Sequence, residues 1–321
     1  MPADIHQTCE TRSARGVFET RVVANESICR EHYRLTLAVD EFPLAHPGQF
    51  VQIMCTDFSD AGWTGGAFIR RPFSIGGLRR RAGNGISPPT RRGRPASSTV
   101  ELDILHRAIG IGTCWLASLR PGDAVNILGP LGQAFPMPAA GGPPALLVGG
   151  GIGLPPLIWL AETLREAGVP AIAFCGARSA DLLPLTRDPA VACRPDEPTL
   201  SCREFAGSGV PVLVATDDGS LGAHGLVPDV FADYVDRRRE RFAGATVYTC
   251  GPERMMRAVA EVCRRRNLSC QVCLERMMAC GMGTCQSCVV RIRDGSAPDG
   301  WRYRLCCTDG PVFDARDVIW E

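Results

Sequence analysis

The chain has 321 residues, 45% of them hydrophobic and 21% charged, with 35 Lys+Arg against 34 Asp+Glu and a formal net charge of +1. That composition excludes a disordered or fibrous chain, and its near-neutral balance lacks the basic excess that phosphate-backbone binding needs, so no nucleic-acid partner is expected. At roughly 100 to 200 residues per domain, the length predicts about two or three units, each burying its own core.

The N-terminal Met1–Arg15 stretch mixes Asp4, His6, Glu10, Arg12 and Arg15 without an apolar block, so no secretory signal is expected. From Gly16 to about residue 140 the pattern is short β-branched runs broken by turns: Val17–Val23, Tyr33–Val39, Gln49–Met54, Val100–His106 and Ala124–Leu128. Such spacing predicts an antiparallel barrel over residues 16–140. Between Leu78 and Ser98 a Gly/Pro/Arg/Ser stretch reads as an inserted loop, and its arginines, Arg79 to Arg81 with Arg91, Arg92 and Arg94, as a solvated cluster.

After Gly141-Gly142-Pro143-Pro144 the pattern changes. The run Ala145–Ala161, the longest apolar one, is shorter than the about 20 residues of a membrane span and is broken by four glycines and two prolines. It reads instead as a strand, a glycine turn and a helix over Leu157–Ala167, followed by buried-looking strands Ala171–Cys175, Val210–Ala215 and Thr246–Cys250 and a helix Glu253–Arg265. That alternation predicts a parallel α/β domain over 141–267. From residue 268 to 321, close-set cysteines and glycines predict a third, small module. No membrane partner is expected, and the setting is read as cytoplasmic, where the 16 cysteines remain thiols and serve as ligands or buried residues.

Cys280, Cys285 and Cys288 give C-x4-C-x2-C, with Cys306 and Cys307 downstream, which is the plant-type [2Fe-2S] spacing. Gly281 and Gly283 let the loop fold around a cluster without side-chain clashes. The rival is a structural zinc site, which usually comes as two C-x2-4-C knuckles; pairing Cys285 and Cys288 with Cys270 and Cys273 would leave Cys280 unexplained. Adjacent Cys306 and Cys307 cannot easily both reach one iron, so one of them is a spectator, and Cys270 and Cys273 read as packed thiols on a strand.

Val148-Gly149-Gly150-Gly151-Ile152-Gly153 follows a strand and precedes a helix, where glycines let a phosphate approach backbone N–H groups and the positive helix end. The same glycines also serve close strand–helix packing. Cys250-Gly251-Pro252-Glu253 marks a later strand end at the same sheet edge. In the barrel, Arg71-Pro72-Phe73-Ser74 sets a guanidinium three residues from a hydroxyl, and Gly110-Ile111-Gly112-Thr113 forms a turn able to face a pyrophosphate with N–H groups.

Together, Arg71-Pro72-Phe73-Ser74, Gly112-Thr113, Gly129-Pro130-Leu131-Gly132, the Gly149–Gly153 turn, Thr216-Asp217-Asp218-Gly219-Ser220, Cys250-Gly251-Pro252 and the cysteine module resemble the ferredoxin-reductase-like flavoproteins. Within them, the ending Cys307-Thr308-Asp309-Gly310-Pro311-Val312-Phe313 is similar to the C-x-D-G-P-V-[FY] of the electron-transfer subunits of type B dihydroorotate dehydrogenases. The resemblance spans about residues 17 to 318. It implies that Arg71, Pro72, Phe73, Ser74, Leu105, His106, Arg107, Gly112 and Thr113 hold FAD. It further implies that Gly149, Gly150, Gly151, Gly153, Cys250, Gly251 and Pro252 hold the nicotinamide nucleotide, and that Cys280, Cys285, Cys288 and Cys307 carry a [2Fe-2S] cluster, selecting Cys307 over Cys306.

In that family dihydroorotate is oxidised at FMN in a separate catalytic subunit, and electrons pass through the cluster to FAD and then to NAD+, a step of de novo pyrimidine (UMP) biosynthesis. The resemblance therefore implies an oxidoreductase subunit working with an FMN-containing partner, as a heterotetramer of two of each. Hydride chemistry at the nicotinamide and one-electron chemistry at the cluster require a flavin between them. No catalytic acid/base pair stands out, and the histidines at 6, 32, 46, 106 and 224 are scattered. Arg178 follows the second parallel strand, where it could meet a 2′-phosphate; the family habit favours NAD over NADP. The rival readings are an NAD(P)H:ferredoxin or hydrogenase-type subunit, and a non-catalytic zinc scaffold. Departures from the family pattern are the N-terminal extension, the Leu78–Ser98 insertion, the Asp188–Gly209 stretch and a slightly long gap from Cys288 to Cys307.

Overall fold

The structure is a computed structural model that describes residues 15–56, 67–81, 99–138 and 141–320. Residues 1–14 of the N-terminal extension and residues 82–98 of the insertion lie outside the described residues.

Strands β1 (Gly16–Cys29), β2 (His32–Asp40), β3 (Phe50–Ile53), β4 (Arg71–Ser74), β5 (Gly77–Arg81) and β6 (Thr99–Arg107) are followed by helix α1 (Ile111–Ser118) and β7 (Ala124–Leu131). The seven strands form one sheet in the order β4-β3-β7-β1-β2-β6-β5, antiparallel throughout. Successive side chains of a strand point to opposite faces. Leu35, Leu37 and Val39, Val51 and Ile53, Val100, Leu102 and Ile104, and Val125 and Ile127 therefore share the inner face and bury into one core. The link from β4 to β5 curls the sheet shut: Ile75 N–H bonds Gln49 O at 3.1 Å on one side, and Gly76 N–H bonds Asp103 O at 2.8 Å on the other.

The insertion begins later than the sequence suggests. Leu78–Arg81 is not loop but strand, paired residue for residue with β6. Arg79 lies 2.6 Å from Asp103 and 3.8 Å from Glu101, so cross-strand carboxylates hold part of the expected solvated arginine cluster on a sheet edge.

The second sheet is built from β8 (Ala145–Gly150), a single 3-10 turn (Gly151–Gly153), α2 (Leu154–Glu166), β9 (Ala171–Ala177), α3 (Arg203–Ala206), β10 (Val212–Thr216) and β11 (Ala223–His224). It continues with α4 (Val227–Asp236), β12 (Thr246–Cys250), α5 (Glu253–Arg266) and β13 (Ser269–Cys273). Helix α2 begins three residues earlier than its apolar pattern indicates, because Pro155 and Pro156 occupy its first turn, where a missing N–H leaves no bond unmade. The hairpin β14 (Val289–Arg293) and β15 (Trp301–Leu305) precedes β16 (Val312–Asp314).

Strand order is β11-β10-β9-β8-β12-β13-β16, parallel except for β16. Residues of α2 and α3 pack on one face, and those of α4 and α5 on the other. The sheet runs across the 267/268 boundary expected from composition, because Ser269–Cys273 is its next strand and the chain returns to add β16 beside it. The Asp188–Gly209 stretch is tied down by bridges Arg187–Cys202 and Thr199–Val212 and by fully buried Phe205 of α3, which packs with α2.

The parts share cores. Trp159 of α2 packs into the barrel interior, while Phe50, Leu128 and Leu131 of the barrel pack with Cys288, Cys306 and Cys307. Among the described residues no helix is long and apolar enough to cross a membrane.

Candidate flavin, nucleotide and cluster sites

The parallel strands run outward from β8 in two directions, β9 on one side and β12 on the other, and ligands of open α/β sheets bind outside the strand ends at that division. Both glycine turns singled out in the sequence meet there. Their glycines do different work. A Cβ on Gly149 would sit 2.7 Å from Leu154 Cδ2 and one on Gly150 2.7 Å from Met255 Sδ, so these two allow helices α2 and α5 to close on the strand. A Cβ on Gly153 would lie 2.3 Å from the carbonyl oxygen of Cys250. Gly151 alone of the four has open space at that position, with φ +53°, and it faces a cavity of about 510 Å3.

Gly150, Gly151, Gly251, Pro252, Arg178, Asp217 and Arg254 line this nucleotide-sized cavity. Beside it, a cleft of about 200 Å3 is lined by Pro72, Phe73, Ser74, Leu105, His106, Arg107 and Thr113 from the barrel. Its far wall comes from Ile152, Pro155, Cys250, Gly251 and the segment Cys273–Arg276 with Met278 and Pro311. Arg107, Ile152, Gly251 and Glu275 belong to both linings, so the two spaces open into one another. Of the expected nucleotide trio, Cys250 faces the cleft, Pro252 the cavity, and Gly251 both.

The barrel groups are set by distinct local causes. Arg71 is exposed and its guanidinium bonds Ile69 O at 2.9 Å, whereas neighbouring Arg70 reaches the carbonyls of Gln52 and Asn126 and is part of the barrel wall. Arg107 is pinned by Glu31 at 2.7 Å. Thr113 Oγ1 accepts N–H bonds from Ile109 and Gly110, both at 3.1 Å, and so shapes the α1 turn. Gly112 stands 3.0 Å, measured from a would-be Cβ, from Cys55 Cβ; it is a packing position beneath that turn.

His106 is 1% exposed, stacked on Tyr33 at 5.6 Å between ring centroids, and neither ring nitrogen has a partner among the described residues. A buried polar group without a partner is costly. Facing the cleft, it fits a bound cofactor that supplies hydrogen-bonding groups. Burial, with His32 as a smaller contribution, holds its imidazole down to about 4. The folded state therefore refuses a proton that the unfolded chain accepts below about 6.5, and stability from this source falls as the pH drops through that window. We predict that His106→Phe, which keeps a ring against Tyr33, removes about 2 kcal/mol of the stability loss between pH 7 and pH 5. Parallel melting curves of the two proteins would show it, and identical pH slopes would contradict it.

In the cysteine module the four expected ligands fall into two pairs. The thiol of Cys280 accepts N–H bonds from Met282 and Cys285, each at 3.4 Å, and Cys288 accepts one from Cys307 N at 3.4 Å. Among the described residues no three Cys, His, Asp or Glu side chains converge on one metal position. The Ser287 hydroxyl, 3.3 Å away, and the Cys280 backbone hold the exposed Cys285 thiol down to about 6, favouring the thiolate that ligates. Burial and neighbouring Cys288 push Cys307 up to about 12. Cys306 Sγ turns the other way, toward Leu274 O at 3.5 Å, and burial raises its pKa. Cys270 and Cys273 are buried in the sheet, Cys270 beside Cys263 and Cys273 beside Cys250.

The ending after Cys307 has a mechanical meaning. Leu305 O accepts N–H bonds from Thr308, Asp309 and Gly310, and Asp309 returns a carboxylate oxygen to Leu305 N at 2.7 Å, making a tight turn. Gln133 N–H bonds Gly310 O at 2.7 Å, and Gln133 Nε2 donates to Thr308 O at 2.8 Å. A Cβ on Gly132 would sit 2.5 Å from Pro311 Cδ. The Gly129–Gly132 stretch and the C-terminal turn are therefore two halves of one contact, between barrel and cysteine module.

Glu275, Arg276 and Met278 were not among the expected site residues. Their signal was their place, directly after a strand end at the ligand-binding edge. Arg276 pairs with Glu253 at 2.9 Å, fixing this segment to the start of α5.

Comparison with known proteins agrees with this geometry. Residues 275–319 match the family model described as the iron-sulfur cluster binding domain of dihydroorotate dehydrogenase B. The chain is 33% identical over 307 residues to the dihydroorotate dehydrogenase B (NAD(+)) electron transfer subunit of Desulforamulus reducens, covering 95% of this chain and 99% of that one. It is 36% identical over 306 residues to the Bacillus caldolyticus subunit of the same name, covering 94% and 98%. Among solved structures, the NADH-dependent reduced ferredoxin-NADP oxidoreductase superposes with a TM-score of 0.67 at 25% identity, covering 94% of this chain and 90% of that one. The Amycolatopsis cytochrome P450 reductase GcoB shares the fold, with a TM-score of 0.56 at 22% identity over 79% and 67% of the two chains.

Proposed function

This chain belongs to the family of dihydroorotate dehydrogenase B (NAD+) electron transfer subunits, and from that membership we propose that it carries electrons between a dihydroorotate-oxidising catalytic partner and NAD+ in pyrimidine biosynthesis. The observation that carries the reading is the convergence of three sites on one cleft. Barrel residues form one wall, the nucleotide cavity opens through Arg107, Ile152, Gly251 and Glu275, and the segment leading into Cys280 forms the other wall.

When bound, FAD exchanges a hydride with the nicotinamide on one side and single electrons with the [2Fe-2S] cluster on the other. The residues proposed to hold FAD are Arg71–Ser74, Leu105–Arg107 and Thr113, with Gly112 packed beneath the turn that presents Thr113. Arg71 would take phosphate, Leu105 and Pro155 floor the cleft, and Phe73 lies edge-on to His106 at 6.3 Å. For NAD we propose the Gly149–Gly153 turn and Cys250–Pro252, and for the cluster Cys280, Cys285, Cys288 and Cys307. NAD over NADP follows from the family, whose members are named for NAD(+); the nucleotide cavity itself carries both Asp217, which would repel a 2′-phosphate, and Arg178, which would attract one.

Ser74 lines the cleft beside Phe73, and it is proposed as the hydroxyl that would hydrogen-bond the flavin near its reacting atoms. Ser74→Ala is expected to retain FAD and to slow anaerobic reduction by NADH about tenfold, the loss of one hydrogen bond at the reacting atoms. Unchanged stopped-flow reduction would remove the role.

The partner we propose is an FMN-containing catalytic subunit, in an assembly of two of each. Met277 and Met282, both exposed apolar side chains on either side of Cys280, and exposed Cys285 offer it a surface next to the cluster ligands. The test is to co-express the two chains and assay dihydroorotate-dependent reduction of NAD+. Activity requiring both chains supports the reading. Reduction of ferredoxin by NAD(P)H, with no response to dihydroorotate, would favour the ferredoxin-type subunit.

A further inference from the structure

Gln52 lies in the middle of β3, paired on one side with β4 and on the other with β7. Its backbone carbonyl accepts from Arg70 Nη1 at 3.3 Å, so the strand presents its side chain from a fixed position. That side chain is fully buried, yet neither Nε2 nor Oε1 has a hydrogen-bond partner among the described residues. Stability alone would favour an apolar residue at such a position, since leaving a buried amide unpaired is unfavourable and an isosteric apolar side chain is not. The amide must therefore meet something that the protein's own groups do not supply.

What it meets is indicated by its neighbour. The amide rests against Gly281, the residue after Cys280. A Cβ there would stand 2.7 Å from Gln52 Cγ and 2.8 Å from Nε2, and φ is +70°. The cluster loop thus approaches this side chain as closely as a residue without a Cβ permits. The flavin is the poorer candidate, because Phe50, Pro72 and Phe73 around Gln52 line the flavin cleft while Gln52 lies outside that lining.

We propose that Gln52 is a positioning residue of the cluster, its side-chain amide donating a hydrogen bond to a sulfur acceptor on the Cys280 side and thereby raising the cluster's reduction potential. This rests on Cys280, Cys285, Cys288 and Cys307 being the cluster ligands. Thiolate and sulfide sulfurs are acceptors, and an amide N–H is a donor, so the two are complementary. Reduction adds negative charge to the cluster. A donor stabilises the reduced form more than the oxidised one, and hydrogen bonds to the sulfurs are an established lever on such potentials. On this account the barrel contributes to the cluster directly and does not merely pack beside its loop.

The experiment is an EPR-monitored redox titration of FAD- and cluster-loaded protein, wild type against Gln52→Met and Gln52→Asn, with iron, sulfide and FAD quantified in each. Met keeps the length and removes the donor; Asn keeps the amide and withdraws it by one methylene. Both variants are expected to retain two irons and FAD and to be about tenfold harder to reduce at a fixed potential, a fall of roughly 59 mV for a one-electron couple, with the flavin midpoint unmoved. An unshifted cluster midpoint in iron-loaded variants overturns the proposal, as would be the case if water or loop backbone were the amide's partner. A shifted flavin midpoint with an unshifted cluster assigns the amide to the flavin and also overturns it. Loss of iron from both variants with FAD retained makes the side chain a support of the loop and overturns the tuning role. Wild-type protein without iron after anaerobic reconstitution would instead sink the underlying ligand assignment, a separate result.

Discussion

Cys307→Ser abolishes the iron-sulfur absorbance, while Cys306→Ser leaves two irons per chain: this is the expected result for two adjacent cysteines that face opposite ways. Cys307 N–H bonds the sulfur of Cys288, and its own thiol lies against that of Cys288, so the two sit as a pair opposite Cys280 and Cys285. Cys306 is fully buried among apolar side chains and turns its sulfur to the carbonyl of Leu274. Serine at 307 offers a harder, less acidic ligand in place of a thiolate, and the loss is expected to be close to complete because three thiolates cannot satisfy two irons. Serine at 306 exchanges a small buried thiol for a hydroxyl able to keep the bond to Leu274, at a cost of about 1 kcal/mol in stability and none in iron. Iron and sulfide analysis with visible spectra of both variants decides it. Iron lost from the Cys306 variant and kept in the Cys307 variant would reverse the assignment.

Much of this arrangement is legible in the residues. The i, i+2 alternation of Leu35, Leu37 and Val39 and of Val100, Leu102 and Ile104 specifies a half-buried strand wherever it occurs. The strand–glycine turn–helix sequence around Gly149–Gly153 marks the ligand edge of a parallel sheet, and the spacing of Cys280, Cys285 and Cys288 needs no structure to be seen. The hidden parts depend on partners distant in sequence. Arg79–Arg81 reads as solvated loop because the carboxylates that make Arg79 a strand residue, Glu101 and Asp103, lie across the insertion. The strand Ser269–Cys273 reads as part of the cysteine module because its two cysteines match the composition of residues 280–307, whereas its pairing is with β12 of the parallel sheet. Gln52 gives no signal at all, since a single polar residue in a short apolar strand ordinarily points to water. Only its burial and its empty hydrogen-bonding capacity single it out.

The four-glycine turn separates two functions that a sequence motif runs together, and substitution should pull them apart. Gly153→Ala is expected to be strongly disruptive. Its φ is −79°, so the backbone conformation itself would suit alanine. The space does not: the new Cβ would lie 2.3 Å from Cys250 O, 2.4 Å from Cys250 C and 2.4 Å from Gly251 Cα. All three are main-chain atoms that no rotamer change can move. Either α2 retreats from β12 or the Cys250–Gly251 turn is displaced, and both walls of the shared opening between flavin and nucleotide sites move with it. Overpacking of this kind costs roughly 3 kcal/mol or more, which for a chain of this size lowers the melting temperature by about 4 to 5 °C or more. FAD content and NADH reduction should fall together. Gly151→Ala tests the other function. Nothing lies within 4 Å of its would-be Cβ, and φ +53° is a left-handed conformation that alanine adopts at about 1 kcal/mol, so folding and FAD binding should survive. The methyl instead enters the cavity where a dinucleotide phosphate would approach the turn, raising the KM for NADH roughly tenfold or more while the melting temperature moves by only about 1 to 2 °C. The comparison is decided by thermal melts, flavin-to-protein ratios and NADH titrations on the two variants. Equal losses of stability in both would mean that the turn is a packing element throughout, and that the phosphate-binding role of Gly151 is wrong.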